Sequence, residues 1–415
     1  MHEARGVISG RQRFLLGGVL VLIVAGFLLL IGQRKNTGIG ISDAGATPSM
    51  VSGTAGDSAA ERGRRAAIAA LGPIKRRVGT NAADFYKQAI ELYAGLTQEE
   101  KDILANRNPK PDAKTAALFA KIQPIMDLLR RGRRADYVDW GLGPISLRGK
   151  TNVMTEIAPI QQLAMLARWD AAYLFQSDPA GAVGDIAAMD ALGRSADDSL
   201  IGLLVQDGIH AAGIYLLAQN AAAVPDADAI DFGAIVDSAA AEQSFQNGIN
   251  GEAAMLQEML NEYADPATRP QLEQLFIMAG KDTSIAPQEA VSEMEWLVQT
   301  EQALGITLQE PDAQFQQWWA QKQAEASSMP LARPALASLA NARNVAAVTL
   351  VDNAMLEAGL AMEQGNQAQF QSFVDPSTGQ PFKYTQTANG FQLTSPIQYY
   401  NGRALTLNFS TPPPK

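Results

Sequence analysis

The hydrophobic pattern opens on one long block: Phe14 to Gly32 is an uncharged, almost wholly apolar run of 19 residues. At about 1.5 Å of rise per residue a helix of that length spans about 28 Å, close to a bilayer core, so the run predicts a transmembrane anchor over 14–32. It exceeds the apolar region of a cleaved signal, and the small-residue stretch Ala44-Gly45-Ala46 lies too far downstream to serve as its cleavage site. Arg5, Arg11 and Arg13 precede the run within the tail 1–13, and Arg34 and Lys35 follow it. The short basic tail predicts an uncleaved, single-pass signal anchor in the inner (cytoplasmic) membrane, with the C-terminal part extracytoplasmic and so periplasmic. A second apolar stretch, Leu200 to Leu217, is broken by Gln206, Asp207 and His210, which predicts a buried helix of a soluble fold.

After the anchor, 33–56 is a flexible tether dominated by Gly, Ser, Thr and Ala. From Asp57 to about Gly365 apolar positions recur at steps of three and four, the helical period. Thr80 or Asn81 is an N-cap for a helix with Phe85, Ala89, Leu92 and Tyr93 on its buried face. Thr97, with Glu100 three positions on, has capping-box spacing and opens a second, short helix. Three helices follow between Thr155 and Val224. The first carries the stripe Ile160, Leu163, Leu166 and Leu174, with Pro159 in its opening turn; the second is capped by Asp178 with Pro179 at its first position; the third is capped by Ser199 and stops before Pro225. Further helices are predicted over Asp226 to Tyr263, Pro287 to Leu304, Asp312 to Ser327 and Ala335 to Glu363. Short connections imply antiparallel neighbours, and abundant Ala and Gly allow close approach.

Past Gly365 the period changes to two. If Asn389-Gly390 is a two-residue type I′ loop, Ala388 pairs with Phe391, Gln386 with Leu393, Tyr384 with Ser395 and Phe382 with Ile397. "ALTLNFS" supplies a third alternating segment with Leu405, Leu407 and Phe409 on one side. The predicted fold is therefore mainly α: an N-terminal transmembrane helix, an α-hairpin array with tetratricopeptide-like packing but no strict repeat, and a small C-terminal β-hairpin. The hairpin cap covers 366–410, and 411–415 is a disordered, polyproline-like tail.

Charge divides the helical part in two. Residues 57–150 carry 18 Lys and Arg against 11 Asp and Glu, a net of +7, whereas 151–415 carry 10 against 30, a net of −20. A basic membrane-proximal region thus precedes an acidic helical array over 151–365. Arg62, Arg64, Arg65, Lys75, Arg76 and Arg77 are candidate contacts for anionic lipid headgroups, and Arg130, Arg131, Arg133 and Arg134 repeat the pattern. A solvated helix face accounts for them equally well. Nucleic acid is not an expected partner of an outward-facing chain with an acidic majority.

Cysteine is absent and only His2 and His210 occur, which excludes disulfides, thiolate zinc sites, cysteine nucleophiles and multi-histidine metal sites. His210 lies three residues after Asp207 and reads first as a structural histidine. Glu252, Glu293 and Glu295 are the carboxylates to consider for a glycosidase-like pair, although Glu293 and Glu295, two apart, point to different sides of a helix. Phe315, Trp318 and Trp319 read first as core and second as an aromatic contact for a peptide or glycan partner. No phosphate loop, dinucleotide fingerprint, calcium loop or metalloprotease helix occurs, so no cofactor and no metal site is predicted and the catalytic residues stay unknown.

The residues Asp375-Pro376, Thr378-Gly379, Pro381, Tyr384 and Gly390-Phe391 resemble the C-terminal end of pseudopilin-like proteins. They resemble more closely a loose family of membrane-anchored bacterial helical proteins, as do the stretches "NAADFYKQAIELYAGLTQEEKDIL" and "GEAAMLQEML". The resemblance implies fold and anchoring and carries no activity. The apolar run lacks the Glu of a pilin N-terminus, so pilin-like processing is not expected. The leading expectation is an extracytoplasmic helical scaffold binding an envelope protein or peptide. The alternatives are a carboxylate-dependent envelope enzyme acting on glycans and a pseudopilin-like secretion-system accessory protein.

Overall fold

A computed structural model describes residues 78–106, 109–110, 112–141, 153–196, 199–224, 232–266, 269–270, 286–307, 312–398 and 404–410. The predicted anchor, the tether and the basic residues Arg62 to Arg77 lie outside these. The chain divides into two compact units, 1–78 with 261–283, and 79–260 with 284–415. In the first, the Arg269 Nε donates to the Tyr263 carbonyl at 2.9 Å and its guanidinium lies over the Tyr263 ring.

The described residues form eleven α-helices and three strands: α1 (Ala82–Ala94), α2 (Gln98–Leu104), α3 (Ala113–Arg133), α4 (Val153–Leu174), α5 (Pro179–Gly193), α6 (Leu200–Gln219), α7 (Ser238–Ala264), α8 (Pro287–Leu304), α9 (Asp312–Glu325), α10 (Ala332–Glu363), α11 (Gln367–Ser372), β1 (Lys383–Thr387), β2 (Gly390–Gln398) and β3 (Ala404–Ser410). Their starts follow from local chemistry. Asn81 Oδ1 accepts from the Ala83 N–H, Asp178 from Gly181 and Ser199 from Gly202, each satisfying a donor that the first helical turn leaves open. Thr97 and Glu100 form the full capping box, with each side chain accepting from the other's backbone N–H.

Three expectations need correction. α1 buries Ala82, Ala83, Tyr86 and Ala89, while Leu92 is 47% exposed and Phe85 and Tyr93 are half-buried. The buried face is set by α3, where Gly132 makes room for Tyr86: a Cβ there would sit 2.3 Å from the ring. Phe85 and Tyr93 instead carry cations, Arg131 at 4.5 Å and Lys101 at 5.4 Å from the ring centroids. Second, α4 begins at Val153, so Pro159 lies inside the helix and not in its opening turn. Third, the 225–231 part of the helix predicted from Asp226 lies outside the described residues, and α7 itself starts at Ser238 after a 3₁₀ turn over Phe232–Ala234.

α4, α5 and α6 are successive neighbours, as their short connections predict, and α3 packs on α5. α10 then returns from far along the chain to pack on α6, α8 and the sheet. At about 1.5 Å per residue its 32 residues extend about 48 Å, enough to serve two cores. One contains α4, α5, most of α6, the end of α10 and the sheet, with Trp169, Ile186, Met355 and Leu407 at its centre. The other joins the start of α6 to Phe245, Leu297, Phe315, Trp319 and the first half of α10. α6 and the Leu339–Glu363 part of α10 are long and apolar enough to cross a membrane; both are mostly buried within the fold.

The sheet has the order β1-β2-β3, antiparallel throughout. Leu405, Leu407 and Phe409 are buried as the alternation predicts. The hairpin register differs: Thr387 pairs with Gly390 and Tyr384 with Leu393, so the two-residue loop is Ala388-Asn389. A type I′ turn needs positive φ at both loop residues, and the backbone has it only at Gly390, at 143°. Pairing with β3 sets Phe391 opposite Phe409 and Leu393 opposite Leu407, all four buried.

Candidate functional site

Buried polar residues gather in three seams between helices. In the first, α5 contributes Asp190 and Arg194 just beyond its end, α6 contributes Asp207 and His210, and α10 contributes Thr349 and Asn353. His210 Nδ1 lies 2.8 Å from Asp190 Oδ1 and Nε2 lies 2.6 Å from Asn353 Oδ1. Both ring nitrogens thus face side-chain oxygens, an arrangement that favours the imidazolium. Burial alone would lower its pKa; the Asp190 carboxylate, the two hydrogen bonds and Asp207 override burial and raise it. Arg194 pairs with the other Asp190 oxygen and donates to the Ala234 carbonyl. Asp207 accepts from Thr349 Oγ1 at 3.1 Å, and burial pushes its pKa up to about 7, against the opposing pull of His210. These residues line a narrow polar recess with room for about one water-sized group. The hydrogen-bond partners of His210 come from residues 20 and 143 positions away.

The second seam joins Arg130 on α3, Asp170 on α4 and Asp185 on α5. Arg130 Nε donates to Asp185 Oδ1 at 2.7 Å, its Nη1 reaches Asp127 at 3.0 Å and its Nη2 lies 3.5 Å from Asp170. Gln123 Nε2 donates to Asp170 Oδ1. Burial, followed for Asp170 by the neighbouring Asp185, raises both carboxyls above the usual carboxylate range against the pull of Arg130. Arg130 therefore does not belong to an outward basic face, as its place in "LLRRGRRAD" suggests; it turns inward to two buried acids. Arg131 and Arg134 are exposed and Arg133 is half-buried.

The third seam holds Glu252 on α7 and Glu301 on α8. Burial, then the charge of Glu252, pushes Glu301 up to about 9. Glu293 is buried beside α10 and its Oε2 accepts from the Leu331 and Ala332 N–H groups, closing the start of that helix; Glu295 is exposed. Glu252 thus faces Glu301, a residue the sequence reading passed over, while Glu293 is engaged in capping. Phe315 and Trp319 are 4% and 6% exposed and lie in the second core, with the Arg343 guanidinium 4.1 Å from the Phe315 ring. Only Trp318 of the three aromatics keeps partial exposure. Among the described residues no group of three or more His, Asp or Glu is arranged to hold a metal ion.

Glu301 carries a pH test. A carboxyl whose folded pKa is raised from 4.5 to about 9 makes the folded state bind more protons across that window, so its contribution to stability is present below about pH 4.5 and is lost as pH rises through 9. Glu301→Gln removes the titration. In urea unfolding at pH 8 the variant should exceed the parent by on the order of 3 kcal/mol, with no advantage at pH 4.5. Equal stability of the two proteins at pH 8 would refute the buried, uncompensated carboxyl.

No family model, curated protein or solved structure matches the chain.

Proposed function

We infer that the chain is a membrane-anchored extracytoplasmic scaffold, an α-hairpin array of tetratricopeptide-like packing that binds a protein or peptide partner in a bacterial envelope complex. The observation that carries this reading is the placement of the buried carboxyls. They are divided among three seams, with Asp190 and Asn353 occupying both nitrogens of His210 and Glu293 closing α10. Such groups fix which helix meets which. The carboxylate-enzyme alternative calls for acids converging with aromatics in one cleft, and Phe315 and Trp319 instead belong to the second core. β1 ends the sheet and all five of its residues are exposed, which suits main-chain pairing with an extended partner segment. The acidic balance of 151–415, 10 basic against 30 acidic residues, favours a basic one.

Affinity capture of the full chain from a detergent extract should recover a stoichiometric envelope protein, and substituting Thr385 with Pro in β1 should lower its yield. Recovery of no partner counts against the scaffold. Protease added to spheroplasts should digest 79–415; complete protection would refute the topology. The basic residues Arg62, Arg64, Arg65, Lys75, Arg76 and Arg77 extend the reading to anionic lipid: the full chain should lose its preference for anionic over neutral vesicles at low salt when they are reversed to Glu.

A further inference from the structure

α6 and α10 pack on each other, and both contribute to the two hydrophobic cores. On α6, Leu200 and Leu203 belong to the second core and Val205 and Ile209 to the first. On α10, Ala342 and Ala346 belong to the second and Val348 and Val351 to the first. Where the two helices change cores they are tied by polar side chains, Asp207 to Thr349 and His210 to Asn353, two rungs about one turn apart on each helix. The joint between the cores therefore depends on hydrogen bonds to a buried ring.

His210 is 6% exposed and lies between Asp190 Oδ1 of α5 at 2.8 Å and Asn353 Oδ1 of α10 at 2.6 Å. Asp190 is a carboxylate whose other oxygen pairs with Arg194, so it only accepts. An imidazolium donates to both oxygens at once, whereas a neutral ring has a single N–H. Once that N–H stays with Asp190, Nε2 presents a lone pair to the Asn353 oxygen. The contact then survives only if the amide turns over to donate, as a neutral bond roughly half as strong as the charge-assisted one it replaces. We propose that this joint is a pH-sensitive clasp between the two cores, closed while His210 carries both ring protons and loosened when it gives one up.

The charged and titratable groups around the ring are Asp190 and Arg194 from α5, Asp207 on α6 itself, and Asp237 beyond the 3₁₀ turn. α10 brings Thr349 and Asn353, neither of which titrates, and among the described residues α4 and the sheet, which also pack on α6, add nothing to this lining. Burial opposes the charged ring, but Asp190, the two hydrogen bonds and Asp207 raise it above its ordinary 6.5. Its contribution is accordingly full below pH 6.5 and is lost as pH rises through the folded value. Burial raises Asp207 to about 7, so its contribution also fades as pH rises to that point. From pH 6 to pH 8 both changes have the same sign, and both weaken the joint.

His2 and His210 are the only histidines, so histidine-selective labelling of the full chain in detergent micelles gives two imidazole signals, which His210→Gln assigns. The His210 ring should keep both protons past pH 6.5. Amide hydrogen exchange over 349–356 of α10, corrected for the intrinsic rate, should quicken at least about tenfold from pH 6 to pH 8, the equivalent of one charge-assisted hydrogen bond. An Asp207→Asn background removes the other titration in that range and should retain the effect; adding His210→Gln, whose amide does not titrate, should abolish it. Asn353→Asp gives the ring a second carboxylate and should carry the change to higher pH, which keeps the clasp testable if His210→Gln does not fold. The proposal is overturned if the ring loses a proton at or below pH 6.5, if exchange over 349–356 ignores pH, if His210→Gln shows the same change, or if Asn353→Asp leaves its pH unmoved. No partner enters any of these measurements, so an empty affinity capture would count against the scaffold alone.

Discussion

Replacing Gly359 with Ala should destabilise the C-terminal sheet by about 3 kcal/mol or more, at or beyond the usual overpacking range. The sign is the informative part, since Gly to Ala inside an exposed helix ordinarily gains about 1 kcal/mol. Gly359 lies in α10 where β3 docks, and a Cβ at that position would sit 1.9 Å from Phe409 Cζ and 2.1 Å from Cε1. The ring has no free direction: it is 1% exposed and stacked on Phe391 with centroids 4.7 Å apart and planes 7° from parallel, and Phe391 stacks in turn on Tyr384. The sheet must shift away from α10 or the stack must break. Phe409→Ala alone should cost about 3–5 kcal/mol as a buried aromatic truncation, and the double variant should be no less stable than that single one, because the colliding ring is gone. Additive losses in urea unfolding would show that the close approach is not what matters.

Replacing Arg130 with Met should cost about 3–5 kcal/mol at pH 8, because the substitution keeps the apolar stem and strips the cation from two buried carboxyls. The sign with pH follows from linkage. Asp170 and Asp185 already have raised folded pKa values, and loss of Arg130 raises them further, so the variant binds more protons than the parent near neutrality and the deficit shrinks as pH falls. By about pH 4, near the unfolded carboxylate value, most of it should be gone. Arg131→Met is the comparison, since that guanidinium is exposed over the Phe85 ring and contributes at most about 1 kcal/mol. Equal pH profiles for the two variants would refute the inward role of Arg130.

Much of the local structure was legible. The caps at Asn81, Thr97, Asp178 and Ser199 depend on a side chain and a backbone N–H two or three residues away, and the stripe Ile160, Leu163, Leu166 and Leu174 depends on the helical period. The alternation Leu405, Leu407, Phe409 is likewise a property of one strand. α3 carries the same local signal, with Asp112 accepting from the Thr115 N–H at its start.

The candidate site was much less legible. His210 and Asp207 are neighbours on one helix, which suggested a pair, yet each bonds across to α10 and His210 also to α5. Glu301 sits eight residues from Glu293 and faces Glu252 on another helix. Arg130 looks in sequence like its exposed neighbours.

The sequence by itself determined which residues cap the helices and where the apolar and charged blocks fall, because these depend on contacts within about four residues and on a repeat period. The tertiary structure decided which face of α1 is buried and which acids lose their water. Both are set by a surface brought from elsewhere in the chain: Gly132 of α3 beneath Tyr86, and α10 against His210. Burial and pairing fix the energy of a polar side chain far more than its sequence neighbours do, and both are properties of helices meeting.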